Sequence, residues 1–140
     1  MMTRINPDIF RAYDIRGSSL SDITQELSYK IGFCFAKMVC TKENNKVSVA
    51  RDGRLSSNSL YDALLDGLNH CGGSCISIGV MPTPALYFAT NILKTAGSVR
   101  ITGSHNPKDD NGFKLLKNGN SFFGEDLQKL YRLIITCDFS

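Results

Sequence analysis

Short apolar runs with a two-residue period alternate along this chain with longer stretches whose apolar residues recur every three or four positions, and that alternation narrows the fold more than any other feature. A strand is predicted near residues 8–13. A helix follows over about 22–40, where Asp22 can cap it, Gln25 stands three residues on as in a capping box, and Ile23, Leu27, Ile31, Phe35 and Met38 make one stripe. Residues 46–50 read as the next strand. Ser56 or Ser57 then caps a helix lined by Leu60, Leu64, Leu68 and Cys71, which Gly72-Gly73 stops. A strand over 75–80 leads to a short helix opened by Pro84 and running to about Leu93. In Gly97–Ile101, Val99 and Ile101 alternate with polar neighbours, so this is a buried strand; Phe113–Leu116 returns as another. After an Asn118-Gly119 turn, residues 124–135 form a last helix with Leu127, Leu130 and Ile134 inward. Elements in this order build an α/β fold, a sheet covered by helices on both faces.

Composition is consistent with one domain spanning residues 1–140. The chain has 140 residues, enough for one core, and no Pro/Ser/Gly linker, repeat or low-complexity tract divides it. A net charge of +3, with Lys and Arg scattered, argues for neither nucleic acid nor an anionic membrane as partner, but leaves small phosphorylated anions open. No apolar run approaches the roughly 20 residues of a membrane span, and the first residues lack a signal-peptide core, so a cytoplasmic location is expected. The five cysteines, Cys34, Cys40, Cys71, Cys75 and Cys137, contain no Cys-x-x-Cys pair and are joined by only two histidines, which argues against zinc. Reduced, largely buried thiols are expected.

The chemistry-bearing residues gather in one loop. Ile101-Thr102-Gly103-Ser104-His105-Asn106-Pro107 is followed, after a short spacer, by Asn111-Gly112-Phe113-Lys114. The strand delivers Ser104 at its carboxyl end, where open α/β sheets hold ligands. Gly103 lets backbone approach a ligand closely, and the return strand carries Lys114 back toward the loop. A serine so placed suits phosphoryl transfer, because phosphoserine carries close to two negative charges that a lysine or histidine stabilises. Taken alone, a serine in a turn is usually a hydrogen-bonding residue, and a single histidine is usually structural. A hydrolase reading fails on two counts. Asn106 stands where a nucleophile elbow needs glycine, and His105, adjacent to Ser104, would point away along an extended chain. No P-loop string is present. Arg51, Asp52 and Arg54 are either a solvated ion-pair cluster or, as preferred here, a brace for the serine loop.

The loop resembles the active-site serine loop of the α-D-phosphohexomutases, the phosphoglucomutase and phosphomannomutase family, whose signature reads Thr-Ala/Gly-Ser-His-Asn-Pro followed by Asn-Gly-Phe-Lys. Three further segments are similar to family motifs in the family's order: Phe10–Gly17, Ala50–Ser57 and Gly79–Pro84. The resemblance implies the family's first domain, a three-layer α/β/α unit with a mixed, mainly parallel sheet between helices. It implies Ser104 as the phosphoserine, with Lys114 and His105 sharing the catalytic work. Arg16 would bind phosphoryl oxygens, Tyr13 and Asn106 would shape the pocket, and Arg51, Asp52, Arg54 and Gly103 would support the loop. It further implies interconversion of hexose 1-phosphates and hexose 6-phosphates, hexose 1,6-bisphosphate as intermediate and activator, and Mg²⁺ reached by Ser104 through its phosphate only. The family's Asp-Gly-Asp-x-Asp-Arg metal loop does not occur here, and Asp66-Gly67-Leu68 lacks the second carboxylate. The chain is therefore expected to be an isolated or truncated first domain, with domains II–IV supplied in cis or in trans. The alternative is a non-catalytic remnant or protein-binding module that keeps the fold.

Overall fold

The structure, a computed structural model, describes residues 5, 7–11, 14–18, 23–51, 55–80, 95–102, 110–117, 120–122, 124–137 and 139. A 3-10 turn, Pro7–Ile9, precedes β1 (Ile15–Ser18), α1 (Gln25–Val39), β2 (Lys46–Arg51), α2 (Leu55–His70) and β3 (Ser74–Val80). Then follow β4 (Gly97–Thr102), β5 (Asp110–Lys117), β6 (Asn120–Ser121) and α3 (Glu125–Thr136).

The sheet runs β1-β5-β4-β2-β3, with β6 paired to β5. Strand β2 is parallel to both β3 and β4, whereas β5 is antiparallel to β4 and β1. Strands β1, β4, β2 and β3 thus point one way and β5 points against them, so the mixed sheet has a mainly parallel direction. Val47, Ser48, Val49 and Ala50 are all buried, so β2 is covered on both faces, as central strands of α/β sheets are. One face carries the main core: Ile15, Val49, Val99, Ile101, Phe113 and Leu115 meet Leu27, Ile31, Phe35, Leu64 and Leu68 from α1 and α2. Leu127, Leu130 and Ile134 of α3 join the same core. The three stripes read from the sequence are therefore the buried faces, except that Met38 and Cys71 are only half-buried.

Several boundaries differ from expectation for local reasons. The strand expected near 8–13 is the Pro7–Ile9 turn; Phe10 N–H donates to the Pro7 carbonyl at 3.2 Å and Phe10 only bridges to Ile15, where β1 begins. Helix α1 is capped by Thr24, whose Oγ1 accepts from Leu27 N–H at 3.1 Å, and not by Asp22, which lies outside the described residues. Helix α2 starts at Leu55, which puts Ser56 and Ser57 inside its first turn instead of at its cap. Gly72, at φ +92°, ends α2 as expected, with Gly73 N–H reaching back to the Leu68 carbonyl at 2.8 Å. Strand β5 starts three residues early, because Asp110 and Asn111 pair with Ser18 and Gly17 of β1. The expected 84–93 helix and the Asn118-Gly119 turn lie outside the described residues.

Candidate functional site

Parallel strands β2 and β4 end together, since Arg51 pairs with Ile101 in register. At that carboxyl edge β4 stops at Thr102 and β5 starts at Asp110, with Thr102 opposite Gly112. The serine loop, 103–109, is therefore strung between two anchors at the sheet edge where α/β folds hold ligands. Gly103, Ser104, His105 and Asn106 lie outside the described residues, as do Tyr13, Asp52 and Arg54.

Strand alternation assigns the described site residues to faces. Arg51, Ile101, Phe113 and Ile15 form one cross-strand row on the core face. The next row, which holds Gly112 and Arg16, lies on the opposite face. Lys114, two residues along β5 from Gly112, shares that face, so Arg16 and Lys114 stand on one side of the sheet beside the loop anchors. Arg51 is not with them: its guanidinium sits 5.7 Å from the centroid of the Tyr61 ring of α2. Tyr61 is itself fixed by donating to the Val49 carbonyl at 3.2 Å and by a hydroxyl contact with Ser77.

Two neighbours of Arg16 explain its placement. Asp14 Oδ2 accepts from Arg16 Nη2 at 2.8 Å, a pair whose side chains are about a third and a sixth exposed, and this points the guanidinium back along the strand. Gly112 lets β1 come close: a Cβ there would stand 2.3 Å from the Ile15 carbonyl oxygen and 3.3 Å from Arg16 Cα. The motif glycine is thus a condition for Arg16 to lie beside the loop.

Arg100 is the residue that motif reading passed over. It is the direct cross-strand partner of Lys114 and only 6% exposed. Like charges directly opposite on neighbouring strands are unfavourable, and an arginine so buried is held by partners of its own, as Arg100 is. Its alternation with Val99 and Ile101 was the available signal, since it sends Arg100 to the face away from the main core. Arg16, Arg100 and Lys114 therefore concentrate three cations on one face at the loop edge, an arrangement suited to a phosphorylated anion. Among the described residues, no group of three or more His, Cys, Asp or Glu side chains could hold a metal ion, so they do not build a Mg²⁺ cage.

The cysteines are free thiols, as expected, but only Cys34 is fully buried; Cys40, Cys71, Cys75 and Cys137 are half-buried. Burial pushes the Cys75 thiol up to about 11 and raises Cys40 and Cys71.

Residues 7–140 match the family model for the phosphoglucomutase/phosphomannomutase alpha/beta/alpha domain I. A phosphomannomutase/phosphoglucomutase of Pseudomonas syringae pv. tomato is 44% identical over 133 residues, which cover 94% of this chain and 29% of that protein. A phosphoglucomutase of Neisseria gonorrhoeae is 41% identical, with 95% of this chain and 29% of that protein covered. A crystal structure of a phosphoglucomutase/phosphomannomutase family protein from Burkholderia thailandensis superposes with a TM-score of 0.89 at 38% identity, covering 94% of this chain and 31% of that one. The chain therefore has the three-layer α/β/α fold of that first domain and spans about three-tenths of the length of these relatives.

Proposed function

This chain belongs to the phosphoglucomutase/phosphomannomutase family, and from that premise we propose that it supplies the serine domain of a cytoplasmic enzyme interconverting hexose 1-phosphates and hexose 6-phosphates. Ser104 carries the phosphoryl group. In the forward step the Oγ–P bond of phosphoserine breaks as a free hydroxyl of the hexose phosphate bonds to phosphorus, giving a hexose 1,6-bisphosphate. The intermediate turns around, and its other phosphate returns to Ser104 Oγ. Such transfers depend on positioning and charge stabilisation more than on covalent chemistry.

The observation that carries this reading is the set of three cations, Arg16, Arg100 and Lys114, on one sheet face beside both anchors of the serine loop. In this proposal Arg16 grips phosphoryl oxygens, held in direction by Asp14. Lys114 screens the moving phosphoryl and aids proton transfer to and from the attacking hydroxyl. His105 shares the acid–base work, since imidazole titrates near neutrality. Tyr13 and Asn106 shape the pocket, while Gly103, Asp52 and Arg54 support the loop. Mg²⁺, held by groups outside this chain and reached through the Ser104 phosphate, belongs to the same reading, as does hexose 1,6-bisphosphate as the donor that primes Ser104.

The test uses the chain joined to the remaining domains. After incubation with glucose 1,6-bisphosphate, phosphate is expected on Ser104 by mass spectrometry. Ser104→Ala is expected to remove most turnover with the fold intact, and Lys114→Met to lower kcat about a hundredfold with a smaller effect on KM. Full turnover in Ser104→Ala, or phosphate on Ser98 or Ser121 instead, refutes the assignment.

A further inference from the structure

Strands β2 and β3 are parallel, yet their register slips between Val49 and Ala50. Val49 pairs with Ser77 and Ala50 with Gly79, so Ile78 is the extra residue of a β-bulge. Bulges are rare between parallel strands, and where they occur they re-aim the strand that carries them. Without this one Gly79 would stand opposite Arg51; with it Val80 does.

The buried Tyr61 of α2 is seated on that slip. Its hydroxyl donates to the Val49 carbonyl at 3.2 Å, so in its other bond, with Ser77 Oγ, it is the acceptor. The run from Ser77 Oγ through Tyr61 Oη to the Val49 carbonyl thus spans the last regular pair before the bulge. Two residues further along β2, the Arg51 guanidinium lies 5.7 Å from the centroid of the same ring, one of the contacts that hold it. Only residues 52–54 separate Arg51 from the start of α2 at Leu55. Tyr61 therefore reaches back from α2 across that connection and grips the end of β2 at both Val49 and Arg51.

We propose that Tyr61 is a positioning residue for the phosphoryl-transfer site: its hydroxyl pins the bulge and its ring seats Arg51, which together fix the ends of β2 and β3 at the edge that bears the serine loop. The inference rests on the function proposed above, in which Asp52 and Arg54, the residues that follow the end of β2, support that loop. Arg51 pairs with Ile101, two residues before Gly103, so a displaced β2 end is passed to the loop's own anchor. Tyr61 works from the core face, whereas Arg16 and Lys114 stand on the other. Its loss therefore slows transfer, which needs the serine in exact place, without weakening capture of the hexose phosphate.

The experiment measures kcat and KM for glucose 1-phosphate in the chain joined to the remaining domains. Tyr61→Leu should lower kcat about tenfold with KM within about twofold, and Tyr61→Phe, which keeps the ring under Arg51, should lower it only about threefold. In an Arg51→Ala background the further loss from Tyr61→Leu should shrink from about tenfold to about threefold, because the ring acts through Arg51. Thr24→Ala, which loosens α1 at its cap, should leave kcat at the parent value. Should Tyr61→Leu fail to fold, Tyr61→Phe and Ser77→Ala carry the test: each breaks the same hydroxyl run, so each should lower kcat about threefold and the two together no further. In the 140-residue chain itself, without any turnover, the amide NMR signals of Gly103 and Ser104 should move in Tyr61→Phe and stay in place in Thr24→Ala. An unchanged kcat in the Tyr61 variants while Ser104→Ala abolishes turnover would overturn this inference and leave the proposed function standing. A loss confined to KM, an undiminished tenfold loss in Arg51→Ala, an equal loss in Thr24→Ala, or unmoved Gly103 and Ser104 signals would overturn it as well.

Discussion

Replacing Gly67 by alanine sets two physical effects against each other with opposite signs. Gly67 lies inside α2, where alanine is the better helix former by about 1 kcal/mol, so propensity alone predicts stabilisation. Packing predicts the reverse. Helices α1 and α2 cross where Gly32 and Gly67 bring their backbones together, and a Cβ on Gly67 would stand 2.1 Å from the Tyr29 carbonyl oxygen and 2.9 Å from Phe33 N. Both obstacles are backbone, so no side chain can swing aside. Ordinary contact begins near 3.4 Å, so α1 and α2 must part by more than about 1 Å. A gap of that size forfeits a quarter to a half of the dispersion energy across it, here among Ile31, Phe35, Leu64 and Leu68. It also stretches the 2.6 Å bond from Ser28 Oγ to the Leu60 carbonyl, worth about 1 kcal/mol. Overpacking of this kind costs about 3 kcal/mol at its upper end. Adding the hydrogen bond and subtracting the propensity gain leaves a net loss of about 3 kcal/mol. In urea, with a slope of about 2 kcal/mol/M for a chain of this size, the midpoint should fall by about 1.5 M at unchanged slope. Gly72→Ala is the control: φ is +92° there but nothing lies within 4 Å of the new Cβ, so only the smaller conformational penalty should appear. A Gly67→Ala protein as stable as the parent, or about 1 kcal/mol more stable, would show that the helices do not meet through backbone at this point.

Gly112→Ala should push β1 off β5, because its Cβ meets the Ile15 carbonyl oxygen at 2.3 Å. In the enzyme assembled with its other domains, displacement of Arg16 should raise KM for the hexose phosphate about tenfold; an unchanged KM would mean that Arg16 is not held in place this way. Thr24→Ala removes the acceptor for Leu27 N–H and should cost about 1 kcal/mol in thermal or urea unfolding, whereas an unchanged midpoint would deny Thr24 its capping role. Cys34 gives a pH dependence whose sign follows from linkage. Its thiol ionises near 9.0 when unfolded and near 12 when folded, raised by burial and then by Cys137, with Cys71 also raising it and Lys37 opposing. Below 9 both states are protonated and its contribution is fully present; between about 9 and 12 the unfolded state ionises first and the contribution is lost. Under reducing conditions the stability advantage of the parent over Cys34→Ala should therefore shrink by up to about 1.4 kcal/mol per pH unit above pH 9, and a constant gap between about pH 8 and pH 10.5 would contradict the burial argument.

Patterns set within one element were readable before the structure. Leu127, Leu130 and Ile134, or Leu60, Leu64 and Leu68, fall on one helix face whatever the helix packs against, and they are buried. The boundaries were not, because each depended on a local competition that composition does not decide. Asp22 and Thr24 can both cap, and the hydrogen bond goes to Thr24. The stretch after Pro7 has strand-like residues, yet the bond from Phe10 N–H to the Pro7 carbonyl closes a turn first.

The site divides along the same line. Ser104, His105 and Lys114 could be nominated as site residues from one string of residue types, because all three stand in the loop and its return strand. Arg100 could not: alternation with Val99 and Ile101 gives its face, but only β5 lying antiparallel to β4 in this register sets it opposite Lys114. Arg51 shows the converse: motif order groups it with the loop, but the parity of β2 turns it to the core face, onto Tyr61. Residues meant to act on a common ligand through different strands are therefore legible only once register is known, and Gly112, whose missing side chain admits β1, is one residue on which that register depends.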